Sequence, residues 1–587
     1  MMGSDPPELP PPPQLRWRLR EAPDPDLVRR LTGELSLPPA LCGILAARGY
    51  ADPEVARRFL RPRLEDLPDP GTLTDAPQAA ERILRAVEGG ETILVHGDYD
   101  VDGVCAAALL TRWLRRLGGK VEPFVPHRLR DGYDLGEGGL EAARQAGASL
   151  IVTCDSGIRA VDPIRRARES GMDVIVTDHH TPGPELPPAF AVVNPSRSDC
   201  HHPAGDLCGT GVVFQLARLL ARMRGLPQEE LHSHLDLVAL ATVADLVPLT
   251  GANRILVRFG LRYLAHTEKV GLQALMDASG LDAAREQGVD AGQVGFVLAP
   301  RINAVGRMGD AGVALRLLLT EDPVEASALA GELEEENGHR KAEDRRTLDQ
   351  ALETLARDYR PERDLGVVVA GEGWHPGVIG IVASRVVERI HRPVVLVALD
   401  GERGRGSARS IPQVHLHDAV ERCREHLIRF GGHRQAAGLD LEALHLPAFR
   451  AAFNHAVGDQ LTDGIPPPVL RVDAELPLEE ATDELHHWLG YLGPFGIGNA
   501  RPVFLGRGAP VADPPRVVGK DHLKLRLGNG RRGLDAIGFG LARRHPVGSL
   551  GPTMDLAFQL RENEYRGRRT LQARLLDLRD PTAEASS

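Results

Sequence analysis

Short apolar runs alternate with amphipathic stretches over residues 92–195. The runs TILVHGD, KVEPFVP, SLIVTC and DVIVTD are β-branched, and between them CAAALLTRWLRRLG, GLEAARQAG and PIRRARESG space their apolar residues as helices do. Strand and helix alternating at this interval predict a parallel α/β sheet. Upstream, residues 1–15 are Pro-rich and predict a disordered lead, and 16–90 read as helices that enter this first domain, which is taken to extend to residue 265. Residues 266–360 are helical and highly charged, and ELEEENGHRKAEDRRTLDQALETLARD has the length of a long connecting helix. A second α/β block follows at 361–462, with strands in DLGVVVAGE and RPVVLVALD. Over 463–580 the pattern shifts to short alternating strands (HLKLRLG, LDAIGFG, MDLAFQL, LQARLLDL), which predict a small β-barrel.

Placement of the acids gives this layout its chemistry. In an open parallel sheet, polar residues just beyond the carboxyl ends of the strands converge in one crevice. Three such ends carry them here: His96-Gly97-Asp98-Tyr99-Asp100-Val101-Asp102 after TILV, Asp155-Ser156-Gly157 after SLIVTC, and Asp178-His179-His180 after VIVT, with Asp245 following an apolar helix. A single Asp in such a place is ordinarily a helix cap or turn former. So many carboxylates desolvated together need cations, and oxygen ligands with one or two imidazoles favour Mn²⁺ or Mg²⁺. Two such ions about 3.5–4 Å apart activate water and stabilise the leaving oxygen in phosphate-ester hydrolysis.

Charge and cysteine usage narrow the classes. A formal charge of −11 excludes a uniformly basic duplex-binding surface, so contact with nucleic acid must come from a local groove. Six cysteines without a CxxC pair offer neither a disulfide framework nor a thiolate zinc site. The group Cys200, His201, His202 and Cys208 fits no common finger spacing and reads as a surface loop. No signal-like N-terminus or long apolar run is evident, which predicts a cytoplasmic protein without membrane contact; a monomer is expected alongside.

Phosphates are gripped by Arg forks, hydroxyls and backbone N–H groups, which singles out Arg128, Arg301, Asn303, Arg307, Ser407, Arg409 and His433, each in a Gly- or turn-rich context. GERGRGSARS is expected to present its N–H groups as an anion nest, or else to be a surface hairpin, and GGHRQAAG reads as a tight turn. Lys520, His522, Lys524, Arg526, Arg531 and Arg532 in the barrel would form a basic track for a single strand.

The motifs GDYDVDG, CDSG, DHH and ADLVP resemble the four successive motifs of the DHH phosphoesterases. HRLRDGYDL, RINAVGR, GSARS and GGHRQAAG are similar to RecJ-type additions, and GPFGIGNARPVF resembles the opening of the RecJ-type oligonucleotide-binding barrel. The resemblance implies a DHH domain, a smaller DHHA1-like α/β domain joined by the long helix, and a C-terminal OB-fold. It implies a 5′→3′ exonuclease on single-stranded DNA that releases 5′-mononucleotides in repair and recombination, with a single-strand-binding protein and a helicase as partners. By position it makes Asp100, Asp102, Asp155, His179 and Asp245 ligands of two Mn²⁺ or Mg²⁺ ions, with Asp98 close by. Asp102, Asp155 and His180 then stand at the chemistry, His180 facing the scissile phosphate, and Arg128, Ser407 and Arg409 form a 5′-phosphate pocket. His96 matches a ligand of the pyrophosphatase branch and stays open either way. Asp134, where relatives show GYGL, puts an extra acid near the substrate entrance. A small-substrate phosphodiesterase and a non-catalytic DNA-binding scaffold are the rival readings.

Overall fold

The computed structural model describes residues 9–581 apart from 129, 133, 529–532, 566 and 567. The chain divides into two compact units. Residues 57–339 and 491–501 form a parallel-sheet unit, and the segments up to 56, 340–490 and from 502 onward form a mixed-sheet unit. Strand β1 (Arg16–Leu19) precedes helices Pro25–Leu35, Pro39–Ala47 and Pro53–Leu60.

In the parallel-sheet unit, β2 (Thr92–Gly97), β3 (Lys120–Phe124), β4 (Leu150–Cys154), β5 (Asp173–Thr177) and β6 (Ala191–Val193) lie in the order β3-β2-β4-β5-β6, all parallel. Helices Val101–Arg116, Glu137–Ala146 and Val161–Glu169 make the crossovers. Ile93, Val95 and Val152 face one core, while Leu94, Ile151 and Val174 face the other. Strands covered on both faces are apolar throughout, which is why their sequences run rather than alternate. Strand β6 is three residues long and carried no such signal.

Helices Gly209–Met223, Leu235–Ala244 and Gly251–Ala265 follow in the same unit. The second of these is apolar all round and nine of its ten residues are buried, as a central helix should be. Its one acid, Asp236, takes Lys269 Nζ at 2.9 Å and Thr267 Oγ1 at 2.6 Å. The stretch GPFGIGNAR, expected to open the barrel, packs here instead. Arg254 donates to the carbonyls of Tyr491 and Leu492, Arg258 to that of Gly493, and Leu249 N to Ile497 O. Two arginines on an inward helix face need acceptors, and this segment supplies carbonyls.

Helix Pro323–Asp358, 36 residues long, carries the chain from one unit into the other. The second sheet follows, with β7 (Val367–Glu372), β8 (Val394–Asp400), β9 (Arg403–Arg409), β10 (Arg429–Gly432) and β11 (Ala436–Glu442) in the order β10-β11-β9-β8-β7. Strands β7 and β8 are parallel and the other pairs antiparallel. The segment expected to be a nest or else a hairpin is the second: Gly401 and Glu402 make the β8–β9 turn, and Arg403–Arg409 is β9, an interior strand. Its glycines alternate with longer residues because the neighbouring strands fill their space: a Cβ on Gly406 would stand 2.5 Å from Leu439 Cδ1. GGHRQAAG is the β10–β11 hairpin.

After β12 (Val469–Val472) and β13 (Ala474–Glu475), β14 (Phe504–Val518), β15 (His522–Leu527), β16 (Leu534–Gly538), β17 (Thr553–Tyr565) and β18 (Arg568–Arg579) form a five-stranded barrel closed by β17 against β14. Strand β12 pairs with β1, and Arg48 reaches Asp473, so residues 16–56 belong with this unit rather than with the first α/β domain. Part of the Pro-rich lead is also held: Leu9 packs on the core beside Leu348, and Arg389 Nη1 donates to Pro10 O at 2.7 Å. Residues 1–8 of that lead lie outside the described residues.

Candidate metal centre

Strand β2 leads into Asp98, and the chain turns at once into helix Val101–Arg116, which Asp100 caps by accepting the N–H groups of Asp102 and Gly103 at 3.0 and 3.1 Å. Asp102, in the first turn, is 1% exposed. Its carboxylate accepts the amides of Gly209 and Thr210 at 2.6 and 2.7 Å, the opening N–H groups of another helix, where negative charge is favoured. Gly209 must be glycine: a Cβ there would lie 2.5 Å from the Cβ of Asp155. Asp155 follows β4 with φ +62, a left-handed conformation that a non-glycine residue adopts at a cost.

Beyond β5, Asp178 serves as a scaffold. Its Oδ1 accepts the N–H groups of His179 and His180 and the Nδ1–H of His180 at 2.8 Å, and its Oδ2 accepts Ile158 N. His179 Nε2 is thereby aimed 3.2 Å from Asp155 Oδ1, 3.6 Å from Asp245 Oδ2 and 3.9 Å from Asp102 Oδ2. Asp245 caps the C-terminus of the apolar helix Leu235–Ala244. Leu246 beside it has φ +61 and is 67% exposed.

The separate strand ends therefore meet. Three ligand-like sets form, each with its atoms within 4.8 Å of one another: Asp102 with His179 and Asp245, Asp155 with His179 and His180, and Asp98 with Asp100 and Asp155. Among the described residues, Oδ1 of Asp98, Oδ1 of Asp155 and Nε2 of His179 are buried without a hydrogen-bond partner. Burial and then the neighbouring carboxylates push Asp155 and Asp98 well above the usual range, raise Asp100, and lift Asp245 to about 8. Burial holds the His179 imidazole low, hence neutral. Carboxylates that resist ionisation beside a neutral imidazole with no partner are what a divalent cation satisfies, so the residues fit Mn²⁺ or Mg²⁺. For His180 burial opposes protonation, yet Asp178 outweighs it and lifts the ring to about 9.

A cleft of about 300 Å³ opens beside the acids, lined by Tyr99, Asp100, Asp102, Arg128, Asp245, Leu246, Asn303, Gly306 and Arg307. The Arg128 guanidinium lies over the Tyr99 ring at 5.3 Å. Arg301 is not at this cleft: it is 7% exposed, pairs with Glu334 and donates to Val297 O at 2.6 Å. A buried guanidinium goes to the nearest carboxylate and carbonyl, which spacing could not reveal. His96 joins none of the ligand sets. It is fully buried against Phe124 and Gly139, and burial lowers its imidazole to about 4. The Asp134 carboxylate accepts Gly157 N at 2.6 Å and so anchors the turn after Asp155. In the loop near 200, Cys208 caps helix Gly209–Met223 and His202 Nδ1 accepts Ala204 N.

The remaining predicted residues belong to the mixed-sheet unit. Ser407 and Arg409 share one face of β9, with Arg409 Nη1 3.2 Å from Ser407 Oγ, and a Cβ on Gly380 would touch both. Among the described residues Arg409 has no carboxylate partner, and burial lowers its pKa. The expected nest is absent, because β9 pairs on both sides and its backbone is spent on the ladders. His433 is exposed in the β10–β11 turn. On β15 the residues His522, Lys524 and Arg526 alternate with buried leucines, beside Lys520, whereas Arg531 and Arg532 lie outside the described residues.

Comparison with known proteins decides the family. Residues 92–242 match the DHH family N-terminal domain, 364–459 the DHHA1 domain and 472–577 the RecJ OB domain. The chain is 37% identical to the single-stranded-DNA-specific exonuclease RecJ of Escherichia coli (strain K12), across 95% of this chain and 98% of that protein. The chain belongs to the RecJ family. The RecJ of Bacillus subtilis (strain 168) is likewise 37% identical, over 96% of this chain and 71% of its own length. The crystal structure of Thermus thermophilus RecJ in complex with Mn²⁺ superposes with a TM-score of 0.82 at 35% identity, covering 97% of this chain and 80% of that one.

Proposed function

We propose that this RecJ-family chain is a metal-dependent exonuclease that hydrolyses single-stranded DNA from its 5′ end and releases 5′-mononucleotides. The observation that carries the reading is the convergence of Asp98, Asp100, Asp102, Asp155, His179 and Asp245, with buried atoms that lack partners. Two divalent ions held by these residues would supply an activated water and charge neutralisation at the phosphate. The protein's own groups do the rest. Asp178 orients His180 through Nδ1, and the ring would face the scissile phosphate. Arg128, Asn303 and Arg307 line the cleft where the strand would lie. Ser407 and Arg409 would take a terminal 5′-phosphate, and a guanidinium with no carboxylate partner among the described residues supports that assignment.

The basic outer face of β15 suits a passing single strand better than a short substrate, which disfavours the small-substrate phosphodiesterase. An enzyme that takes only single strands needs them unwound and presented, so a helicase and a single-strand-binding protein in the cytoplasm, in repair and recombination, fit as partners. Among the described residues no helix is long and apolar enough to cross a membrane. The test is digestion of 5′- and 3′-labelled single strands and duplexes with Mg²⁺, Mn²⁺ or chelator. Mononucleotides released from the 5′ end of single strands alone, and only with metal, are expected. Release from the 3′ end, or cleavage confined to dinucleotides, would overturn the reading.

A further inference from the structure

Of Asp98, Asp100, Asp102, Asp155 and Asp245, only the last is reached through no strand. Asp245 caps helix Leu235–Ala244, and the chain then passes through Leu246, at φ +61, and Val247-Pro248-Leu249-Thr250 into helix Gly251–Ala265. A loop between two helices does not share the rim that fixes the strand ends, so its aim is set by what packs on it. Residues Tyr491–Arg501 pack there. Ile497 O accepts Leu249 N at 2.7 Å. Two glycines let the backbones close in: a Cβ on Gly496 would stand 2.7 Å from Leu249 Cδ1, and one on Gly498, which has φ +72, 3.1 Å from Pro248 Cβ.

The segment is itself held in shape. Asn499, 4% exposed, donates from Nδ2 to the carbonyls of Leu492 and Pro494, both at 2.8 Å, and its backbone bridges to that of Gly496. Arg254 and Arg258, which bond the carbonyls of Tyr491, Leu492 and Gly493, stand on the helix that the Asp245 loop leads into, so loop, helix and segment close a ring. The flanking chain belongs elsewhere: helix Asp483–Gly490 and strand β14 are in the mixed-sheet unit, and Tyr491–Arg501 alone between them joins the parallel-sheet unit. A plain connection needs neither a buried amide nor two close approaches at glycine. We propose that Tyr491–Arg501 braces the Asp245 loop and so sets the affinity of the ion that Asp245 holds with Asp102 and His179, with Gly498 and Asn499 as positioning residues. The proposal rests on the metal-centre reading and adds that one ion depends on this distant segment. Asp98, Asp100 and Asp155 follow strands and take no support from the brace, so the other ion is insensitive to it.

Mn²⁺ titration of the full chain, followed by loss of the free-ion electron paramagnetic resonance signal, tests it on wild type, Asn499→Ala and Gly498→Ala. Each variant should hold one ion about 10- to 100-fold more weakly, the usual effect of losing a group that orients a ligand, and the other ion as wild type does. Nucleotide release should need a correspondingly higher Mn²⁺ concentration for half its maximum and recover at saturation. Wild type supplies a check free of any substitution, which decides even where a variant fails to fold: coupling is reciprocal, so Mn²⁺ should slow amide hydrogen exchange over 491–501 by about tenfold or more. Wild-type affinity for both ions in a folded variant overturns the proposal, as does equal weakening of both, a loss that saturating Mn²⁺ does not restore, or exchange over 491–501 that is indifferent to Mn²⁺. A wild-type chain that binds no Mn²⁺ overturns the metal centre itself.

Discussion

Removing the metal while raising the pH should destabilise the protein in a way that bound metal reverses. The structure fixes the sign. Asp245 stands at about 8 against 3.8 for an ordinary Asp, and burial with carboxylate neighbours pushes Asp98, Asp100 and Asp155 up as well. These folded-state values exceed the unfolded ones, so between roughly pH 4 and 8 the metal-free native protein holds more protons than the unfolded chain, and stability falls as pH rises through that window. Moving one carboxyl that far costs on the order of 5 kcal/mol, at about 1.4 kcal/mol per tenfold in acidity. The protons are shared, so the cost belongs to the cluster rather than to Asp245 alone. Divalent cations replace those protons and lift the cost. Thermal unfolding with EDTA and with MnCl₂ across pH 5–8.5 measures this. The Mn²⁺-dependent rise in Tm should grow with pH to about 10 °C, given roughly 2–4 °C per kcal/mol for a unit of this size. A melting temperature in EDTA that stays flat or climbs between pH 6 and 8, with a Mn²⁺ increment independent of pH, would refute the reasoning.

Three further outcomes are expected. Arg409→Ala should cut the preference for a 5′-phosphorylated over a 5′-hydroxyl end by about 10- to 100-fold, the worth of a charge-assisted contact, and an unchanged ratio in competition digests would return Arg409 to a structural role. Lys269→Met should cost about 3–5 kcal/mol in urea unfolding, because it strands Asp236 at 1% exposure, and adding Asp236→Leu should recover most of it. Gly406→Val should cost about 1–3 kcal/mol by forcing a side chain into Leu439, whereas a melting temperature equal to wild type would contradict the packing described for β9.

The clustered acids at the strand ends were legible because each follows an apolar strand, and the strands of a parallel sheet end on the same rim. Asp100, Asp155 and His179 stand at strand ends for that reason, whereas Asp245 comes in from the C-terminus of the helix Leu235–Ala244. What stayed hidden depends on partners distant in sequence. GERGRGSARS looks like a turn until Val397, Leu399, Leu439 and Leu441 are seen to cover its glycines, which makes it a strand and removes its backbone from anion binding. Arg301 reads as substrate-facing from its Gly-rich surroundings, but Glu334 claims it. GPFGIGNAR goes to the parallel-sheet unit because Arg254 and Arg258 need its carbonyls.

Counting bound manganese tests the central claim most directly. Titration of the metal-free chain with Mn²⁺, followed by the loss of its free-ion electron paramagnetic resonance signal, should show two ions bound per wild-type chain. Asp155→Ala should bind at most one at comparable affinity, lose nucleotide release and keep the wild-type circular dichroism spectrum. Two ions still held with undiminished affinity by a folded Asp155→Ala chain would contradict the account.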